Sequence, residues 1–234
     1  MKMKSFIITF CSFPVILIFS CAKNKYPFQM TEPKKTYSYL ALGDSYTIGQ
    51  NVLSSENFPN QTVQLLNQQN YNFKSPEILA TTGWTTDELQ NNINKHTFTP
   101  PYDFVSLLIG VNNQYRGRSV ENYKPEFESL LKQAIQFAGG KVDHVIVLSI
   151  PDWGATPFAN GRDRAQIAKE IDDYNAVNKN ISETYKVNYI DITPWTREAA
   201  NDLSLVASDG LHPSAKEYKR WSEKLADKIK PLIQ

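Results

Sequence analysis

Past Cys21 the chain has no cysteine: both of its cysteines, Cys11 and Cys21, fall within the first 21 residues. A domain built from the remainder holds neither a disulfide nor a cysteine-ligated metal. Net charge is also scarce. Twenty-five Lys and Arg face 24 Asp and Glu, a formal charge of +1, and losing a leader with Lys2 and Lys4 turns 25 against 24 into 23 against 24. No basic face is left for a polyanion, which excludes an electrostatic nucleic-acid binder. Histidine is rarer still, with three in the whole chain. Internal repeats and low-complexity tracts are missing. No apolar run is long enough to span a bilayer comfortably, because the longest, Ser5–Phe19, is short and broken by Pro14.

That run does fit a leader. Met1–Lys4 is basic and the apolar stretch follows it, the pattern of a secretory signal. It ends in Leu17-Ile18-Phe19-Ser20-Cys21, which resembles a bacterial lipobox and implies cleavage before Cys21 and lipidation of its thiol. An ordinary signal peptide with an incidental cysteine, or an uncleaved anchor, is the plainer reading. From Ala22 to Thr36 the chain is polar, with Pro27, Pro33 and four lysines, as a flexible tether would be. The expected organisation is a signal peptide over 1–20, a tether over 21–36 from a lipidated Cys21, and one domain over 37–234. That protein is exported and lipid-anchored at the bacterial cell envelope, on the outer membrane if the cell has one, since Ala22 and not an aspartate follows Cys21.

Within the domain, apolar β-favouring segments alternate with helix-period segments, which predicts a parallel sheet covered on both faces. Strands are expected at Tyr37–Leu42, Glu77–Ala80, Phe104–Ile109, Val142–Ile150 and Val187–Ile192. Helices are expected over Phe58–Gln69, from a capping box at Thr85, and over Val120–Ala138, Arg162–Tyr185 (burying Ile167, Ile171, Tyr174 and Val177) and Pro194–Asn201, with a last one capped by Ser214. Right-handed crossovers then give a three-layer α/β/α sandwich with a five-stranded parallel sheet, most simply in the flavodoxin-like order 2-1-3-4-5. Sites in such sheets form beyond the carboxyl ends of the strands.

Ser45 stands at such an end, next to Gly43, where a hydroxyl is either a helix cap or a nucleophile in need of a base. Of the histidines, His144 falls at the amino end of the fourth strand and His96 in a polar connection suited to the surface. His212 precedes the last helix, where it can reach the carboxyl edge. Asp209, three residues earlier with Gly210 between, can accept a hydrogen bond from His212 Nδ1–H and leave Nε2 free, or simply shape the turn. Asp191 is a rival orienter whose simpler job is bonding the backbone ahead of Pro194. Gly83 and Asn112, past the second and third strands, are turn residues or donors to a developing oxyanion.

The blocks Gly43-Asp44-Ser45-Tyr46, Gly83, Gly110-Val111-Asn112-Asn113 and Asp209-Gly210-Leu211-His212-Pro213 resemble, in order, those of the SGNH hydrolases, the GDSL esterase/lipase family. The resemblance extends from about Tyr37 to Ile229. It implies a Ser45, His212 and Asp209 triad, an oxyanion hole of Ser45 N–H, Gly83 N–H and the Asn112 side chain, and neither metal nor organic cofactor. Tyr46 replaces the leucine of the family's name, and Asn113 an aspartate often found there. The expected activity is carboxylic ester hydrolysis, esterase or lysophospholipase-like, on a small-molecule or glycan ester. A carbohydrate O-deacetylase, a thioesterase and a non-catalytic surface-binding lipoprotein are the alternatives. Tyr115, Arg116, Trp153, Phe158 and Arg162 are candidate substrate contacts, although Trp153 and Phe158 could equally pack their own loop.

Overall fold

Two segments buried throughout lie side by side in the middle of the sheet. The strands β1 (Tyr39–Asp44) and β3 (Phe104–Leu108) are buried at every position, as strands covered on both faces must be. The computed structural model describes residues 34–233, so the expected leader, Cys21 and most of the tether lie outside the described residues. With β2 (Glu77–Thr81), β4 (Val145–Leu148) and β5 (Asn188–Ile190) the strands form one parallel sheet in the order 2-1-3-4-5. Gly43 near the carboxyl end of β1 lies opposite both Ala80 and Leu108, so the ends of three strands are level there.

Helices cover both faces. On one, α2 (Phe58–Gln68) packs against the carboxyl-terminal helix α8 (Ala215–Ile229), with Phe58 6.1 Å from the Trp221 ring and Ser222 Oγ donating to Phe58 O at 3.1 Å. On the other lie α3 (Thr86–Ile93), α5 (Val120–Phe137) and α6 (Arg164–Thr184), where the Tyr123 and Tyr174 rings pack at a tilt with centroids 4.5 Å apart. Thr85 and Ser214 cap α3 and α8 as the sequence predicts, and the short helix expected over Pro194–Asn201 is α7 (Thr193–Arg197) followed by a 3-10 turn.

Element ends depart from expectation where side chains take over backbone hydrogen bonding. The first strand starts at Tyr39 and runs on through Asp44; Tyr37 lies outside it, in an isolated bridge to Phe73. Val142–His144 is a 3-10 turn, and β4 stops at Leu148 because the Asn175 side chain bonds both the N–H and the C=O of Ile150, at 2.8 and 3.0 Å. Ile190 ends β5, and Ser149 Oγ accepts the N–H groups of Ile192 and Thr193 at 2.8 and 3.1 Å. Val177 is only half-buried, while Asn175 and Asn178 are buried on the same helix. The two asparagines face inward because α6 has backbone and hydroxyl groups to satisfy there, including Tyr123 OH, which bonds Asn178.

Candidate active site

Beyond β1 the chain turns at once into a single helical turn, α1 (Ser45–Ile48). Asp44 caps it, its carboxylate accepting Tyr46 N–H at 3.0 Å, and Gly49 closes it in the left-handed conformation. No side chain larger than hydrogen fits at Gly43, where a Cβ would stand 2.1 Å from Thr47 Oγ1 and 2.5 Å from Leu108 O. This close approach lets the turn fold back onto the sheet and leaves Ser45 on its rim, 4% exposed. Among the described residues nothing hydrogen-bonds the Ser45 hydroxyl. Burial pushes the Asp44 carboxyl up to about 7, against the Tyr46 N–H and the Asn112 amide, which favour its anion.

Ser45 opens onto a cavity of about 150 Å³ that His212, Gly83 and Asn112 also line. His212 is 5% exposed, and its ring packs on Tyr46 with centroids 4.9 Å apart. Its Nδ1 lies 2.6 Å from Asp209 Oδ2, while Asp209 Oδ1 accepts the N–H groups of Leu211 and His212, each at 3.0 Å. Burial alone would raise the Asp209 carboxyl; the His212 ring and those two N–H groups outweigh it and hold the group below its ordinary value. An ionised carboxylate there accepts Nδ1–H and fixes the tautomer with Nε2 unprotonated.

Gly83 follows β2 at φ +84°, a conformation that favours glycine, with only Arg116 Nη2 near a hypothetical Cβ, at 3.7 Å. Asn112 belongs to α4 (Val111–Tyr115) after β3, and its Nδ2 donates to Trp84 O at 3.0 Å, with Asp44 Oδ2 at a marginal 3.4 Å. Asn113 points the other way, tying α4 to the start of α3 through Thr86 N–H at 3.1 Å and Thr86 Oγ1 at 2.6 Å.

Three of the five candidate substrate contacts, Tyr115, Trp153 and Phe158, wall the cavity. Tyr115 and Phe158 are 46% and 42% exposed, and Trp153 is held beneath them by a 2.7 Å bond from Nε1 to Gln114 Oε1. The two arginines do not line it. Arg116 is committed to Gly83 O at 2.6 Å and Glu88 Oε1 at 3.1 Å, and Arg162 is exposed elsewhere on its loop. Tyr46, beside the serine, lines it too, and Thr82, Val111 and Leu211 complete the lining; none of these three carries a chemical group that would single it out in a sequence.

The other histidines lie away from the cavity. His144 stacks flat on Phe104 at 4.7 Å and meets Asp103 O, and the exposed His96 meets Glu77 at 2.8 Å. Asp191 accepts Thr193 N–H at 3.1 Å, just ahead of Pro194. Among the described residues no group of three or more His, Cys, Asp or Glu side chains is placed to hold a metal ion.

The fold is shared with known structures at low identity. The lipase/acylhydrolase from Enterococcus faecalis superposes with a TM-score of 0.66 at 17% identity, covering 85% of this chain and 97% of that one. An acetylxylan esterase from Geobacillus stearothermophilus gives 0.65 at 18%, covering 82% and 94%. The psychrotrophic esterase EstA from Pseudoalteromonas sp. gives 0.64 at 17%, covering 83% and 97%. A comparison with curated proteins gives no match. The model of the GDSL-like Lipase/Acylhydrolase family matches residues 41–220, a span that contains Ser45, Gly83, Asn112, Asp209 and His212. The chain belongs to that family and is a carboxylic ester hydrolase.

Proposed function

We propose that this enzyme hydrolyses esters of short acyl groups through an acyl-enzyme on Ser45, with His212 as base and acid and Asp209 as its orienter. One observation carries the reading: Ser45, His212, Gly83 and Asn112 face a single cavity, and the ring nitrogen of His212 turned away from that role is held by Asp209. His212 Nε2 removes the Ser45 proton as Oγ bonds the ester carbonyl carbon. The carbonyl oxygen becomes an oxyanion held by the N–H groups of Ser45 and Gly83 and by Asn112 Nδ2. Trp84 O occupies one Nδ2 hydrogen, and the second, loosely shared with Asp44, is the one a substrate oxygen recruits. Collapse expels the alcohol with a proton from His212, and water repeats the cycle on the acyl-enzyme, releasing the acid.

Cavity size supports a short acyl group, since about 150 Å³ is roughly the space that takes a benzene-sized guest. Its walls are mostly apolar or aromatic, and apart from the phenols of Tyr46 and Tyr115 they carry no acidic or basic group besides His212. Turnover of p-nitrophenyl esters should be greatest at acetyl to butyryl and decline steeply beyond about six carbons; a maximum at long chains overturns the acyl-size reading. A carbohydrate O-deacetylase is the second reading. The exposed faces of Tyr115 and Phe158 at the mouth are suited to a sugar ring, and one of the superposed structures is an acetylxylan esterase. Acetate release from acetylated xylo-oligosaccharides faster than from simple acetyl esters would select it.

Replacing Asn112 by Ala should cut kcat by about 10²- to 10³-fold and leave KM within a few-fold, because the amide acts on charge that develops in the transition state. Steady-state kinetics on p-nitrophenyl acetate checks this, and an equal rise in KM would make Asn112 a ground-state contact. We also place the enzyme at the cell envelope through a lipid on Cys21, on the strength of the sequence Leu17–Cys21. A Cys21→Ala form should leave the membrane and detergent fractions; if it stays, the anchor lies elsewhere.

A further inference from the structure

The loop after α1 carries a residue that the triad does not include. Asn51 adopts φ +63°, a left-handed backbone that asparagine tolerates better than most residues. Its Nδ2 donates to Asp209 Oδ2, the same oxygen that faces His212 Nδ1, across 158 positions of sequence. Only the NH₂ end of the amide can face an ionised carboxylate, so the side chain has one workable orientation. With Leu211 and His212 N–H on Oδ1, both carboxylate oxygens are then doubly engaged. The segment that presents Ser45 thereby reaches over and fastens the loop that presents His212.

We infer that Asn51 is a positioning residue for the acid–base loop, setting the direction in which Asp209 meets His212 and so the reach of Nε2 toward Ser45. The inference rests on the triad reading above. The other charged groups around this pair are accounted for. Asp152 and Glu217 stand in a small cavity of about 20 Å³ behind His212 and Tyr46, and are paired with Arg197 at 2.8 Å and Arg220 at 2.9 Å. Asp44 lies under Ser45, bonded by Tyr46 N–H. Asn51 approaches from the solvent side, so its substitution leaves those contacts in place.

Two variants separate this role from a merely structural one. Asn51→Gly removes the amide and suits the left-handed backbone, so the fold should be kept; Asn51→Asp keeps the shape and sets a second carboxylate against Asp209. For Asn51→Gly we expect kcat/KM on p-nitrophenyl acetate to fall by about tenfold, with kcat bearing the loss, as when a hydrogen bond to a charged group is removed. Labelling of Ser45 by a fluorophosphonate should slow by a similar factor. The acid limb of the kcat/KM profile should move to higher pH in Asn51→Gly and further in Asn51→Asp, because each change leaves more negative charge on the carboxylate side of the His212 ring. An acid limb unmoved in both variants, whatever the rate, overturns the inference. Failure of the parent enzyme to hydrolyse esters or take the label would instead overturn the triad reading, so the two failures are distinguishable.

Discussion

Ser45→Ala is expected to abolish measurable ester hydrolysis, with kcat/KM falling on the order of 10⁴- to 10⁶-fold, or about 5 to 8 kcal/mol of transition-state stabilisation. The size follows from the chemistry, since without Oγ there is no acyl-enzyme and only positioning and oxyanion donors remain to assist water. The fold should be indifferent to the change. Nothing among the described residues hydrogen-bonds the hydroxyl, and the position opens a helical turn already capped by Asp44. Alanine therefore strands no partner and introduces no bulk, and unfolding free energy should stay within about 1 kcal/mol. Denaturant unfolding beside steady-state kinetics reads both halves. A variant with near-parental turnover removes Ser45 from the mechanism.

His212→Ala should lose a comparable factor, on the order of 10⁴ or more in kcat/KM. A serine hydroxyl is inert at neutral pH without a base, and neither His96 nor His144 lines the cavity. The substitution opens space beside Tyr46 and deprives Asp209 of one partner, but two backbone N–H groups still hold the carboxylate and water can reach it, as its side chain is 24% exposed. The expected signature is a loss that free imidazole partly restores, because the vacated space admits a diffusible base. Retention of most of the parent's rate without added imidazole would take His212 out of the base's role.

Much of this arrangement is legible along the chain because it is local. Strand β3 reads as a continuous apolar run, the Thr85 and Ser214 caps depend on residues within one turn, and Asp209 and His212 are three residues apart in a turn that glycine permits. Strand order is accessible too, since short right-handed crossovers leave few alternatives. What stays hidden depends on long-range partners. Asn175 ends β4 from a helix 25 positions away, and Arg116, a candidate substrate contact in the sequence, turns back to Gly83 O and Glu88. Asn51 gives no sign beyond a residue type suited to positive φ, because its partner lies 158 positions on. The aromatic wall is half legible: Trp153 both packs and lines, held by Gln114 while facing the same cavity as Ser45.

The catalytic assignment meets its most direct test in a fluorophosphonate reaction on the parent enzyme followed by peptide mass mapping. One adduct per chain, located on Ser45 and accompanied by complete loss of ester hydrolysis, is the predicted result. An enzyme that goes on hydrolysing esters with Ser45 unlabelled, or that carries the adduct on another residue, would contradict it.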